Sequence, residues 1–259
     1  MTATHHQPPT TTEPAPVRQY SLARILGTWA AAALPMAALA WLVAPQLAGV
    51  LHGPTALPRA LILALLAGMT WQFVFVMVVV RREQGTLRWT ILKDALWLHA
   101  PRSPKSGRRG GRLWLIVIPL IAALAVEELL PTLPTPATRD MALFLGSGTG
   151  QAFLSGNWAW LAVIVLLQIF NSVLGEELLF RGLLLPRMNK QFGRWDWVAN
   201  GALFALYHLH VPWVIPQALL DTFILAYPSK RYRSALIGII VHSSQSVLFV
   251  VLTIAIVLK

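Results

Sequence analysis

Long apolar runs alternate with short polar segments along most of the chain. A transmembrane helix needs about 20 mostly apolar residues, and seven segments reach or approach that length. They lie at about 25–50, 60–80, 113–130, 157–186, 196–211, 213–228 and 234–258. The sixth segment is short and is bounded by Pro212, Pro216 and Pro228, which interrupt helices. The pattern predicts an all-α fold, a polytopic membrane helical bundle of about seven transmembrane helices.

The composition supports a membrane protein, because 56% of the 259 residues are hydrophobic and only 12% are charged. Soluble domains carry about twice that charged fraction. Cysteine is absent, which excludes disulfides, thiolate nucleophiles and zinc–thiolate sites. The first 24 residues are rich in Pro and Thr and contain no apolar run. They predict a disordered cytoplasmic tail at 1–24, followed by a membrane helical domain at 25–259.

The basic residues predict the orientation of the bundle, because cytoplasmic loops of membrane proteins are enriched in Lys and Arg. With a cytoplasmic amino terminus, the inner segments hold two in the tail, nine at 81–112, three at 187–194 and three at 230–233. The outer segments hold only Arg59, Arg139 and Lys259. This bias accounts for the net charge of +11 without a nucleic-acid partner. It predicts a multi-pass protein of the plasma membrane with its carboxy terminus outside.

The inner loop at 81–112 has a pattern of its own. Apolar residues with helical spacing open it, flanked by Trp and basic residues, and a Gly- and Ser-containing basic stretch follows. This order predicts a short interfacial helix on anionic lipid and then a flexible basic linker. A plain solvated connector fits the same residues equally well.

Ionisable residues from three separate spans converge on one depth. By the helical rise, Glu176, His208 and His242 lie about 14–18 Å from the cytoplasmic ends of their spans. Half of the hydrocarbon core is about 15 Å, and ionisable residues at that depth are usually functional. Ser246 lies one turn beyond His242 and could donate to an oxyanion. Asp221 reaches a similar depth, where it could tune the site, pair with a histidine or line a cavity.

Helix geometry separates the neighbouring polar residues. Glu177 and Arg181 are four residues apart, which predicts an ion pair that neutralises both charges. Glu176 projects about 100° away and is free to act as a general base in the bundle. His208 and His210 should point to nearly opposite sides of a helix, which leaves His210 as an interface residue at the outer rim. Four amides are predicted to make hydrogen bonds between helices: Gln72, Gln168, Asn171 and Asn200.

Three motifs carry a family resemblance. The sequence "EELLFR" (Glu176–Arg181) fits E-E-x-x-x-R, and "FALYH" (Phe204–His208) fits F-x-x-x-H. The third, "HSSQS" (His242–Ser246), is similar to H-x-x-x-N with Ser in the last place. In this order the motifs resemble the CAAX-protease and bacteriocin-processing (CPBP) family of intramembrane endopeptidases, which includes the Ras-converting prenyl-protein proteases. The resemblance covers about 157–259, the expected catalytic core.

The resemblance implies a catalytic role for each motif. Glu176 would be the general base, His208 would orient the water or shuttle its proton, and His242 with Ser246 would stabilise the oxyanion. Three further motif residues would support the site: Glu177, Arg181 and Phe204. The family is often called metalloprotease, and a Glu/His/His set could bind zinc with water as the fourth ligand. Metal-free glutamate catalysis fits equally well, so the metal is left open. A bacterial setting and a peptide or membrane-protein substrate are also implied.

Two other functions remain as alternatives. The hydroxyl of Ser246 reaches less far than the amide of asparagine, and loss of one oxyanion donor can cost about 10²–10³ in rate. A non-proteolytic scaffold, immunity or regulatory protein with the same fold is therefore the first alternative. A proton-coupled transporter is the second, since carboxylates and histidines at mid-membrane also form proton relays. The lack of an internal repeat and the small number of spans argue against the transporter.

Overall fold

A computed structural model describes residues 17–127, 129–130 and 133–259. Within these ranges the chain is helical and has no β-strand, which confirms the predicted all-α helical bundle. The helices, in chain order, are α1 (Leu22–Leu51), α2 (Ala56–Gln84), α3 (Trp89–Ala95), α4 (Val117–Glu127), α5 (Met141–Gly146), α6 (Gly148–Leu154), α7 (Trp158–Arg187), α8 (Asn189–Phe192), α9 (Asp196–Tyr207), α10 (Ile215–Ala218), α11 (Tyr227–Tyr232) and α12 (Ala235–Val257).

Four of these helices, α1, α2, α7 and α12, are long and apolar enough to cross a membrane. Each lies within a few residues of a predicted segment. The other three predicted segments, 113–130, 196–211 and 213–228, are helical but shorter or interrupted. The 3-10 turn Gly111–Ile116 precedes α4, and the 3-10 turn His208–His210 ends α9. Segment 213–228 is divided into α10, the π-helical turn Thr222–Ala226 and the start of α11, and Pro216 and Pro228 lie in the first turns of α10 and α11, where the missing N–H of proline is tolerated.

A buried ion cluster ties three helix ends together on one side of the bundle. Glu83, near the end of α2, accepts hydrogen bonds from the Tyr20 hydroxyl at 2.6 Å and from Arg24 at 2.6 Å. Arg187, at the end of α7, lies 2.9 Å from the other carboxylate oxygen. We call this group the Glu83 cluster. Tyr20 lies inside the predicted tail, yet it is buried and α1 begins at Leu22. The helical domain thus starts before residue 25.

The opposite ends of the helices meet on the other side. The Gly156 amide, just before α7, donates to the Val257 carbonyl at the end of α12 at 2.9 Å. The Arg59 guanidinium at the start of α2 donates to the Leu51 carbonyl at the end of α1 at 3.0 Å. Together with the Glu83 cluster, these contacts show that α1 and α12 run in one direction and α2 and α7 in the other. The side of the membrane on which each end lies stays a prediction from the basic residues.

The basic loop is folded against the bundle. The predicted short helix is α3, with Ile91 and Ala95 buried. After it, the Arg102 amide donates to the Tyr232 carbonyl at 2.8 Å, and the Gly110 amide donates to the Pro101 carbonyl at 2.9 Å. The stretch predicted as a linker is thus joined by backbone hydrogen bonds to α11 and within itself.

Candidate active site

The two glutamates lie in the most deeply enclosed part of α7. Every residue at 175–188 is buried, so the carboxylates face protein on all sides. Glu176 and Glu177 stand between two π-helical turns, Phe170–Gly175 and Leu178–Leu184. Such turns are rare, and they frequently occur at functional sites. The local backbone of α7 therefore marks the same two residues as the sequence motif.

Glu177 has two partners, an arginine and a histidine. Its Oε1 atom lies 3.4 Å from Nη1 of Arg181, as the spacing of four residues predicts, and 3.1 Å from Nδ1 of His242. A Cβ atom at Gly238 would lie 2.3 Å from the other carboxylate oxygen. Glycine at this position of α12 thus allows the helix to approach closely enough for His242 to reach Glu177.

Arg181 is held by electrostatics rather than by regular hydrogen bonds. Its side chain is fully buried, and none of its three nitrogens has a hydrogen-bond partner in the described part of the chain. The guanidinium lies 4.0 Å from the centroid of the Phe204 ring, and Glu177 supplies the compensating charge. Contact between a cation and an aromatic face is favourable, especially away from water. Phe204 is thus positioned to support the site through its contact with Arg181.

His242 lies between the two glutamates. Nδ1 is bonded to Glu177, and Nε2 lies 4.0 Å from Oε2 of Glu176. A carboxylate can only accept, so Nδ1 of His242 is the donor and carries a proton. The second nitrogen therefore faces Glu176 across a gap slightly longer than a hydrogen bond.

His208 approaches the same region from the end of α9. Its Nδ1 atom lies 2.9 Å from the Phe204 carbonyl, which can only accept, so Nδ1 carries the proton. In the neutral ring, Nε2 is then an acceptor. The centroid of the Phe204 ring lies 5.0 Å from that of His208 and 6.3 Å from that of His242. Among the ion pairs of the described residues, the histidine paired with Glu176 is His242, not His208.

Ser246 is buried but turned toward another helix. Its hydroxyl donates to Oε1 of Gln168 on α7 at 2.9 Å. One turn earlier, Ser243 donates to the Ser172 hydroxyl at 3.3 Å, again linking α12 with α7. The proton of Ser246 is therefore used to join the two helices. Gln168 acts as the interhelical group that the sequence predicted.

Asp221 and His210 also reach the core. Asp221 is buried and close enough to interact electrostatically with Glu176 and His242. His210 is also buried, and its ring stacks on that of His208 with centroids 5.6 Å apart. The expectation that these two histidines point to opposite sides was wrong. It assumed an α-helix, whereas α9 ends at Tyr207 and a 3-10 turn follows.

Sequence reasoning missed Tyr207 as a member of the site. Its hydroxyl is fully buried, accepts a hydrogen bond from Nε2 of Gln72 at 2.5 Å and interacts with Glu176. The available signal was a phenol inside an apolar helix, because a buried tyrosine hydroxyl usually has a polar partner. Gln72 makes one of the predicted contacts between helices. Asn200 makes another, donating to the Phe180 carbonyl at 2.9 Å.

The donor atoms of the site are not arranged as a metal centre. Across the described residues, no group of three or more His, Asp or Glu side chains is placed to hold a metal ion. Nδ1 of His242 is bonded to Glu177, and Nδ1 of His208 is bonded to a carbonyl. These two bonds leave Nε2 of both rings available, as in histidines that bind metals, so only the spacing of the donor atoms argues against a zinc set of Glu176, His208 and His242.

A family model described as "Type II CAAX prenyl endopeptidase Rce1-like" matches residues 157–248. Residues 157–248, which we call the Rce1-like region, are thus similar to the type II CAAX prenyl endopeptidases that this model describes. The resemblance seen in the three motifs is confirmed over this region, which runs from the start of α7 into α12. Searches of curated proteins and of solved structures found no match. The Rce1-like region contains all four predicted catalytic residues: Glu176, His208, His242 and Ser246.

Proposed function

We propose that the chain is an intramembrane endopeptidase that hydrolyses a peptide bond of a membrane-associated peptide or protein. The observation that carries this proposal is a buried carboxylate, Glu176, that faces the free nitrogen of His242. Glu177 and Arg181 neutralise each other beside it, so Glu176 is left without a guanidinium partner among the described ion pairs. Such a carboxylate is suited to take a proton from water.

In the proposed reaction, a water molecule lies between Glu176 and the accepting nitrogen of His208. Glu176 takes one proton, and the resulting hydroxide adds to the peptide carbonyl carbon. The carbonyl oxygen then carries the negative charge of the tetrahedral intermediate. When the carbon–nitrogen bond breaks, the proton passes from Glu176 to the leaving amine, and the new carboxyl and amino termini separate.

We assign the stabilisation of the oxyanion to His242. Glu177 fixes its ring from the Nδ1 side, so in the imidazolium form the second proton, on Nε2, would be directed into the space beside Glu176. Donors held in place before the reaction are the most effective ones. Ser246 contributes only if its hydroxyl leaves Gln168.

In the membrane, we propose a multi-pass protein of the plasma membrane with the Glu83 cluster on the cytoplasmic side. The alternating directions of α1, α2, α7 and α12 and the positive-inside bias support this orientation. The amino terminus would then be cytoplasmic and the carboxy terminus outside. Water would reach Glu176 through a polar path within the bundle, since hydrolysis consumes one water per bond.

The test compares new peptide termini in membranes of cells that carry wild-type protein, Glu176→Gln or His208→Ala at equal protein levels. His99→Ala is the matched control, since it removes an imidazole outside the Rce1-like region. Cleavage products that are lost in the first two variants and kept in the control would support the proposal. Identical profiles in all four samples would refute it. Repeating the wild-type assay with a chelator and with added zinc separates metal-dependent from glutamate-type hydrolysis.

One observation favours a second candidate, a binding or regulatory protein with the same fold. The hydroxyl of Ser246 is engaged by Gln168, and the residue stands where the family motif has asparagine. Such a protein would keep its cellular effect in the Glu176→Gln variant. A phenotype that survives this substitution while no termini change would identify the second candidate.

A further inference from the structure

A basic cavity that does not include the glutamates lies beside the junction of α11 and α12. It has a volume of about 730 Å³ and is formed by the basic loop, the turn before α9 and the end of α11. Six of its lining side chains are cationic: Arg102, Lys105, Arg194, Lys230, Arg231 and Arg233. The loop part lies outside the Rce1-like region, so the family match does not specify this cavity.

The cavity is built by specific backbone contacts. The Arg102 amide donates to the Tyr232 carbonyl at 2.8 Å, which fixes the loop on α11. Within the loop, the Ser103 amide donates to the Arg108 carbonyl at 2.8 Å and closes a turn. These contacts hold the cationic side chains of the loop opposite those of α11. Basic loops that only follow the positive-inside rule do not require such a fixed arrangement.

Most of the positive charge in the cavity is not neutralised. Lys230 pairs with buried Asp196, but the other five cations have no carboxylate partner among the ion pairs of the described residues. Like charges gathered in one concave site repel each other, and an anion would relieve that repulsion.

The backbone conformation of Arg233 provides independent support for a functional role of the cavity. Its φ of 48° and ψ of 51° lie in the left-handed region, where the end of a helix usually has glycine or asparagine. A side chain with a Cβ atom is disfavoured there, because the Cβ lies too close to the following carbonyl oxygen. A guanidinium is thus held at this position against the preference of the backbone, which is typical of a functional constraint.

We propose that this cavity binds the phosphate headgroup of an anionic phospholipid in the leaflet on the side of the Glu83 cluster. Arg and Lys side chains are the usual ligands of phosphate, with Arg able to bind two oxygens at once. Beside the cations, the Trp197 ring packs on Tyr227 at 5.0 Å and on Phe223 at 5.6 Å. Phe223 is 62% exposed. Tyr227 is also exposed, and Trp and Tyr rings are enriched at the lipid headgroup level.

The aromatic rings beside the cations, those of Trp197, Phe223 and Tyr227, distinguish a lipid from a free anion as the ligand. Acyl chains of a lipid bound at the cations would pass over the exposed edge of Phe223 and Tyr227 into the bilayer. Inorganic phosphate would use only the cations. A lipid held here would fix the depth of α11 and α12, and this role does not depend on peptidase activity.

The experiment uses the full chain, purified and reconstituted in nanodiscs of phosphatidylcholine with or without phosphatidylglycerol. The measured quantity is the phosphatidylglycerol retained by the protein after removal from the nanodisc, in native mass spectrometry. The variant is the double substitution Arg102→Ala and Lys105→Ala, and the control is Arg82→Ala and Arg88→Ala. The control removes the same charge from exposed positions that do not line the cavity. We expect wild type to retain phosphatidylglycerol and the cavity variant to bind it about 10–30-fold more weakly.

The other outcomes decide against the proposal. An equal loss in both double variants would show diffuse attraction to the membrane. Equal retention of both lipids by wild type would exclude a preference for the anionic headgroup. Binding of inorganic phosphate or of an acidic peptide without retained phosphatidylglycerol would replace the lipid with that ligand.

A second variant guards against misfolding. Arg233→Gly removes one cation and at the same time relieves the left-handed backbone. It should unfold at a temperature equal to or above that of wild type and still retain less phosphatidylglycerol. Unchanged retention in this well-folded variant would overturn the proposal.

Discussion

Replacing Gly238 by alanine should disrupt the active site from the opposite helix. The new Cβ atom would lie 2.3 Å from Oε2 of Glu177 and 3.3 Å from Cγ of Arg181. A separation of 2.3 Å is far below van der Waals contact, and both neighbours are fully buried. The carboxylate therefore has to move, and its bond of 3.1 Å to His242 is lost or lengthened.

The size of the effect follows from three contributions. Overpacking in a close-packed core costs about 1–3 kcal/mol. Loss of a hydrogen bond to a charged group costs about 1.5–3 kcal/mol. Alanine in a helix interior recovers about 1 kcal/mol relative to glycine. The net expectation is a loss of roughly 1.5–5 kcal/mol in the free energy of unfolding. Cleavage should fall as well, because the His242 ring loses its fixed orientation.

The assay is denaturant unfolding of the purified protein in detergent, with Gly27→Ala as the matched control. Gly27 lies in α1 and has no described heavy atom within 4 Å of an added Cβ, so alanine there should stabilise the helix by up to about 1 kcal/mol. The two substitutions are chemically identical and are expected to have opposite signs. If Gly238→Ala were as stable as Gly27→Ala, the close approach of α12 to Glu177 would be refuted.

Three further predictions follow from contacts around the site and the Glu83 cluster. Glu177→Gln leaves the buried charge of Arg181 without its anion and should cost about 3–5 kcal/mol in unfolding measurements. Adding Arg181→Met should recover most of that loss, and a double variant as unstable as the single one would contradict this. Ser246→Ala should slow cleavage less than about tenfold because the hydroxyl is directed to Gln168. A loss of about 10²–10³ in kcat would instead make Ser246 an oxyanion donor. Burial raises the pKa of Tyr20 to about 12, above its unfolded value, so its stabilisation is complete below about pH 10 and is lost as the pH rises through 12. Tyr20→Phe should therefore flatten the alkaline decline of unfolding free energy, whereas parallel stability curves would disprove this origin.

The sequence predicted well those features that depend on a single helix. The four long helices follow from their apolar runs, and the Glu177–Arg181 pair follows from a spacing of four residues. Counting helical rise also brought Glu176 and His242 to one depth, and they lie 4.0 Å apart. These results need only regular helices that cross the bundle from known ends.

Features that depend on distant contacts could not be predicted in this way. The α-helical part of α9 ends at Tyr207 although apolar residues continue, and this brings His210 against His208. The direction of the Ser246 hydroxyl depends on Gln168, which lies 78 residues away on another helix. The basic loop has the composition of a linker, yet the carbonyl of Tyr232 binds it. In each case the structure depends on contacts that the pattern of residues within one segment does not reveal.

The two π-helical turns of α7 make the length of the chain as important as its residues. A π-helical turn contains one residue more than an α-helical turn, so removing one residue from Phe170–Gly175 would allow a regular helix to form. That α-helical turn makes the same full rotation with one residue fewer, so Glu176 and Glu177 would keep their present directions. Removing one residue from the regular α-helical stretch Trp158–Ile169 would instead rotate everything beyond it by about 100°. A deletion scan of α7 should therefore show that a deletion in Phe170–Gly175 is tolerated better than one in Trp158–Ile169.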